Sequence, residues 1–205
     1  MKNIVLFLSA ACLLSAPIFG QQQENRFAEI TNPQLLSINK LPPHASFTSY
    51  IDETSALNKD KANGSFYLPL NGTWKFHYTE KFKERPMNFM EPDFNTADWK
   101  EIKVPGNWEL QGFGTYQYGI TFYGKPFPEG VANEKGMYKY EFEVPEKFRG
   151  KQVNLVFEAS MTDTEVKVNG RKVGSKHQGA FYRFSYNNTA FLKYGNKNLL
   201  ELTAA

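Results

Sequence analysis

The chain has 205 residues, with 24 lysines and arginines against 21 acidic residues and a single cysteine, Cys12. A net charge of +3, spread evenly, excludes the basic face that nucleic acid or an anionic membrane requires. The length suffices for one domain with its own core, and the 16% aromatic content, mostly Phe and Tyr, suits a β-rich interior or stacking on sugars.

Lys2, the apolar run Ile4 to Leu14 and the small-residue end Ser15 to Gly20 have the layout of a secretory signal peptide cut after Gly20. The run is shorter than the ~20 apolar residues a membrane span needs. Lipid attachment at Cys12 is the alternative, but Ser9 stands where such a signal has Leu. Cleavage would leave a periplasmic or extracellular chain without cysteine, stabilised by its core alone.

Residues 21–64 read as an irregular arm, with prolines at Pro42 and Pro43 and one short helical turn near Asp52 to Leu57. From residue 65 the pattern changes to short strands. Tyr67 to Leu70 and Thr73 to Tyr78 flank Asn71-Gly72 and predict a hairpin, because Asn-Gly supplies the two positive φ angles of a tight turn. Met137 to Val144 alternates apolar and charged residues, so one face is expected buried and the other wet. Gln152 to Glu158 alternates likewise, with Val153, Leu155 and Phe157 inward. Val166 to Val168 and Arg171 to Val173 flank another Asn-Gly, Asn169-Gly170, and predict a second hairpin. Phe181 to Tyr186 and Asn198 to Thr203 complete about eight short strands with no helical period, the signature of a sandwich or jelly roll.

Reaction motifs are absent. There is no phosphate-binding glycine loop, nucleophile elbow, or metal-ligand spacing, and His44, His77 and His177 are the only imidazoles. Glycoside cleavage needs two carboxylates about 5–10 Å apart. The acidic residues instead fall in turns or alternate on expected wet faces, and no pair stands out. No catalytic and no metal residues are therefore assigned. Trp74 and Trp99 read as core; Trp108 reads as a core or interface anchor, with stacking on a sugar as the alternative.

A family resemblance runs along residues 32–202 in order. Its pieces include Asn32-Pro33-Gln34, Asn39-Lys40-Leu41-Pro42-Pro43-His44, Leu70-Asn71-Gly72-Thr73-Trp74, Val104-Pro105-Gly106-Asn107-Trp108-Glu109 and Gly136-Met137-Tyr138. Val166 to Gly174 and Gly195-Asn196-Lys197-Asn198 follow. The chain resembles the N-terminal part of family 2 glycoside hydrolases of the β-galactosidase type. The resemblance implies an all-β jelly-roll sandwich, galactose-binding-domain-like, over residues 65–205 and continuing to a further closing strand. It also implies an immunoglobulin-like domain and a TIM barrel that carries both catalytic glutamates. This chain is expected to stop before that barrel and to be inactive alone. Its partners would be carbohydrate and those missing domains; the oligomeric state is left open. No cofactor is expected, with a structural or substrate-site cation in the full enzyme left open.

The family's first domain lends an Asn and an Asp to the pocket edge. Ile120 stands at the first of these positions and His177 nearest the second. Both departures remove groups that would bond a galactose hydroxyl. The His177-Gln178-Gly179-Ala180-Phe181 run is similar to the β-glucuronidase-like branch. His177, Gln178, Tyr118 and Tyr123 are therefore the candidate substrate-binding residues. For His177 and Gln178 the alternative is a loop whose side chains cap neighbouring backbone; for the tyrosines it is core packing. A free-standing, lectin-like carbohydrate-binding module is the competing reading of the whole chain.

Overall fold

A computed structural model describes residues 32–35, 37–45, 47–59, 66–114 and 134–204. Within them eight strands, all paired antiparallel, form two layers. The larger sheet contains β1 (Gly72–Thr79), β2 (Lys100–Val104), β3 (Lys135–Val144), β5 (Glu165–Val168), β6 (Arg171–Lys172) and β8 (Asn196–Ala204), in the order β2-β1-β3-β8-β5-β6. The smaller pairs β4 (Asn154–Phe157) with β7 (Phe184–Asn187). Besides four single-turn 3-10 helices, one short α-helix, α1 (Glu53–Leu57), starts at Asp52, whose carboxylate accepts from the Ser55 amide. The expected helical turn is thus present.

Strand alternation builds the core. Trp74, Phe76, Ile102, Val166, Val168, Leu200 and Leu202 point from the large sheet onto Leu155, Phe184 and Tyr186 of the small one, and all are buried. Each such side chain contributes about 1.5–3 kcal/mol of apolar burial. Trp74 also donates its indole N–H to the Leu70 carbonyl at 2.9 Å, and its ring stacks on Tyr140 at 4.9 Å.

Two expectations fail here. Tyr67 to Leu70 is not a strand, and Asn71-Gly72 does not turn a hairpin: β1 pairs with β2 on one side and β3 on the other. Both edges of β1 are taken, so no room remains for residues 67–70, and Pro69 has no amide to donate. The strand not anticipated is β2. The second failure concerns the face of β3 read as wet. Lys139 is buried, because residues 85–99 fold across the outer face of the large sheet and pack Phe89, Met90 and Trp99 against Met137. The Lys139 ammonium donates to the Glu91 carbonyl, and Lys167 pairs with the Glu91 carboxylate at 3.5 Å. Glu201 lies fully buried between Lys139 and Lys167 in register. Burial raises its pKa, offset by the Gly170 amide and the two lysines.

The arm is more ordered than its composition suggests. Lys40 bridges to Tyr186, the Leu41 amide donates to Ser185, and the Asn39 side chain donates to the carbonyls of Val173 and Asn187. The arm thereby extends the small sheet along the open side of β7 and buries an edge that would otherwise be free to pair.

Candidate functional site: the loop after the β5–β6 hairpin

Asn169 and Gly170 both have positive φ (53° and 75°), as a two-residue hairpin turn demands. The turn reverses β5 into β6, and the chain then runs back along β5, with the Val173 amide donating to the Val166 carbonyl. The backbones of His177 and Thr164 exchange two hydrogen bonds, 2.8 and 2.9 Å, which ties this loop to the entry of β5.

The His177 ring does not reach solvent. It is 3% exposed, stacks on Phe184 at 3.7 Å with the planes 12° apart, and meets the edge of Tyr182 at 5.5 Å. Neither ring nitrogen has a hydrogen-bond partner among the described residues. Burial, with the nearby Lys40 charge second, pushes its pKa down to about 4, so the imidazole is neutral at physiological pH. Among the described residues it caps no backbone group and has no partner through which to pass a proton; here it is a platform under an aromatic stack. Gln178, next in the chain, is exposed, and its carbonyl accepts from the Tyr182 hydroxyl at 3.2 Å. That contact needs Gly179: with φ at +135°, a Cβ there would lie 2.2 Å from the hydroxyl oxygen.

What the loop offers to solvent is aromatic. Phe181 is 88% exposed and Tyr182 59%, and Gln178 in the same loop is exposed as well. Sequence reasoning assigned Phe181 to Arg183 to a strand, whereas β7 begins at Phe184. The usable signal was Gly179 just before the aromatic pair, since a glycine there admits a turn that swings the next residues outward.

Beneath the loop lies a chain of charges. Asp163 accepts from Lys135 at 3.0 Å and from Lys176 at 3.3 Å, and Lys176 also faces Glu165 at 3.7 Å. Lys135, Lys176 and Glu165 are nearly excluded from water, and burial lowers the Lys135 pKa against the raising influence of Asp163. Carboxylates held this way by ammonium groups are structural neighbours rather than free acids and bases. The acidic residues read as solvated strand positions thus include two, Glu165 and Glu201, that are buried. Among the described residues no group of three or more His, Cys, Asp or Glu is placed to hold a metal ion.

Tyr118 and Tyr123, with Ile120, lie outside the described residues. Trp108 is half-buried and packs on Phe76 and Tyr78, so the core reading describes its surroundings. Trp74 and Trp99 are buried, as expected of core residues. A separate open groove of about 600 Å³ runs between the arm and β6, lined by Ile38, Asn39, Lys172, Val173 and Phe191.

Comparison with known proteins agrees with this architecture. A β-galactosidase of Priestia megaterium is 28% identical over 90% of this chain and 18% of its own length. One of Lactobacillus delbrueckii subsp. bulgaricus is 32% identical over 84% of the chain and 17% of its own length. The chain therefore spans less than a fifth of these two relatives. Among solved structures, a Faecalibacterium prausnitzii β-glucuronidase superposes with a TM-score of 0.50 at 24% identity, over 67% of this chain and 20% of that one, which is a likeness of fold. The model of the family 2 glycosyl hydrolase sugar-binding domain matches residues 68–203. These residues span the strands, the buried His177 stack and the aromatic loop alike, and the chain belongs to the glycosyl hydrolase family 2 sugar-binding domains.

Proposed function

We propose that this chain is the carbohydrate-contacting domain of an exported glycosidase of the β-galactosidase and β-glucuronidase type, and that it performs no hydrolysis by itself. The observation that carries the reading is the Phe181-Tyr182 pair, held out to solvent over a buried His177–Phe184 stack. An exposed aromatic face in a loop that also carries the exposed Gln178 suits a sugar ring: the apolar face of the ring stacks, and Gln178 bonds a hydroxyl. His177 acts beneath that surface as the support that fixes Tyr182, rather than as a ligand to substrate. The chemistry of bond cleavage belongs to carboxylates elsewhere in the complete protein, since Asp163 and Glu165 are engaged by lysines.

The purified chain is expected to release no aglycone from aryl β-galactosides or aryl β-glucuronides; turnover that copurifies with the chain would sink the reading. Titration with methyl β-galactoside and methyl β-glucuronide, followed by NMR, should move the Phe181, Tyr182 and Gln178 resonances in the millimolar range. Paired Phe181→Ala and Tyr182→Ala changes should abolish those shifts. Shifts confined to the groove around Phe191 would instead favour a free-standing carbohydrate-binding module that uses that groove. Export rests on the signal-like residues 1–20: the secreted protein should begin at residue 21, and an intact Met1 in the cytoplasmic fraction would count against it.

A further inference from the structure

We infer that Asn71-Gly72 is a site of spontaneous covalent modification, at which the Asn71 amide converts to aspartate and isoaspartate, and that the fold shields Asn169-Gly170 from the same reaction. The backbone nitrogen of Gly72 gives its proton to solvent and attacks Cγ of Asn71. The new N–Cγ bond closes a succinimide as the Cγ–Nδ2 bond breaks, and Nδ2 takes up a proton and leaves as ammonia. Water then opens the ring. Cleavage of the bond from the nitrogen to Cγ yields an aspartate in place of Asn71, and cleavage of its bond to the main-chain carbonyl yields isoaspartate. No electrons are gained or lost, and water is the only co-reactant.

A glycine after the asparagine hinders the attack least, and both dipeptides satisfy that condition. The fold separates them. Asn71 and Gly72 are exposed, and the Asn71 side chain makes no hydrogen bond to a described residue. Gly72 is the first residue of β1 and forms the terminal pair with Val104, and the space around it is open: a Cβ there would meet only the Tyr140 hydroxyl, at 3.9 Å. At Asn169 the electrophile is clamped on both sides. Its Oδ1 accepts from the Leu199 amide at 3.0 Å, and its Nδ2 donates to the Phe191 carbonyl at 2.8 Å and to Asn198 at 2.9 Å. The nucleophile is engaged as well, since the Gly170 amide donates to Glu201 at 3.4 Å, and Pro92 covers that glycine. Cyclisation at Asn169 must first open this cluster, whereas at Asn71 no side-chain hydrogen bond to a described residue has to break.

The test ages the full chain, folded, at mildly alkaline pH and physiological temperature, with isoaspartyl methyltransferase labelling and peptide mapping. Residue 71 should convert at least about tenfold faster than residue 169, the ratio set by an opening free energy of about 1.4 kcal/mol or more at the clamped site. The same chain unfolded in urea should convert at the two sites within a few-fold of each other, and Asn71→Gln should remove the residue 71 product alone. Folded-state rates that match at the two sites would overturn the inference. So would silence at residue 71 over a period in which the unfolded chain converts, or a rate difference that persists in urea.

Discussion

Of the three Asn-Gly dipeptides in the sequence, the two that lie within the described residues have two outcomes. Asn169-Gly170 turns a tight hairpin with both residues at positive φ, and its asparagine is built into the sandwich through three hydrogen bonds. Asn71-Gly72 only leads into β1, with its asparagine in solvent. The flanking residues are β-formers in both cases, so local chemistry does not explain the difference. Neighbouring strands do. β5 and β6 lie at the end of their sheet, where a short return strand finds an open partner; β1 is already flanked by β2 and β3. A turn signal states that a chain can reverse, and the sheet decides whether anything is left for it to pair with.

That contrast can be broken at graded cost. The largest expected effect is Gly170→Ala. A side chain at φ +75° costs about 1–2 kcal/mol, and its Cβ would lie 2.7 Å from the Pro92 ring, so residues 85–99 must lift. Destabilisation of about 3 kcal/mol in urea unfolding is expected, with a loss of near-UV signal from Trp99; a change below about 1 kcal/mol would deny that the turn supports that segment.

The second test is pH. Downstream of each dipeptide lies a histidine: His177, almost fully buried, and His77, half-buried on β1 against Trp99. Burial lowers both, His177 to about 4. Between that value and the ordinary ~6.5 the unfolded chain binds a proton that the folded chain refuses. The stabilisation is therefore complete above the unfolded value. It is lost as pH falls from about 6.5 towards 4, by up to ~3 kcal/mol for His177. His177→Phe should flatten most of that slope in urea titrations at stepped pH, whereas His77→Phe should flatten less of it. Equal effects from the two variants would contradict the burial difference.

Third, Asn169→Ala removes three hydrogen bonds and leaves the Leu199 amide and the Phe191 carbonyl without that partner, for about 2 kcal/mol. Smallest of all, Asn71→Ala should stay within about 0.5 kcal/mol of the parent protein. If the two asparagine variants cost the same, the comparison itself fails.

Much of the fold was legible because alternation is a direct imprint of a half-buried strand: β3, β4, β5 and β8 stand close to where period-two patterning put them. β2 was missed because Lys100–Val104 is short and mostly charged, its burial resting on Ile102. The wet face of β3 was misjudged because the segment that covers it, residues 85–99, has no period of its own. At the candidate site, sequence order singled out the loop of His177 and Gln178 but not which of its side chains faces solvent. The sense of His177 depends on a ring from β7, seven residues on, that the loop folds back upon, and on a lysine from the arm, far from it in sequence.

By itself, the sequence determined the class of fold, the family's collinear motifs and the Asn-Gly turn at 169–170, all of which rest on spacing along the chain. Only the tertiary structure decided that Asn71-Gly72 makes no turn, that Lys139, Glu165, Lys176 and Glu201 lie out of water, and that His177 lies beneath its loop while Phe181 and Tyr182 stand outside. The reason is common to these cases: pairing and burial are contests among segments distant in sequence, and a local pattern carries no record of which competitor reaches the space first.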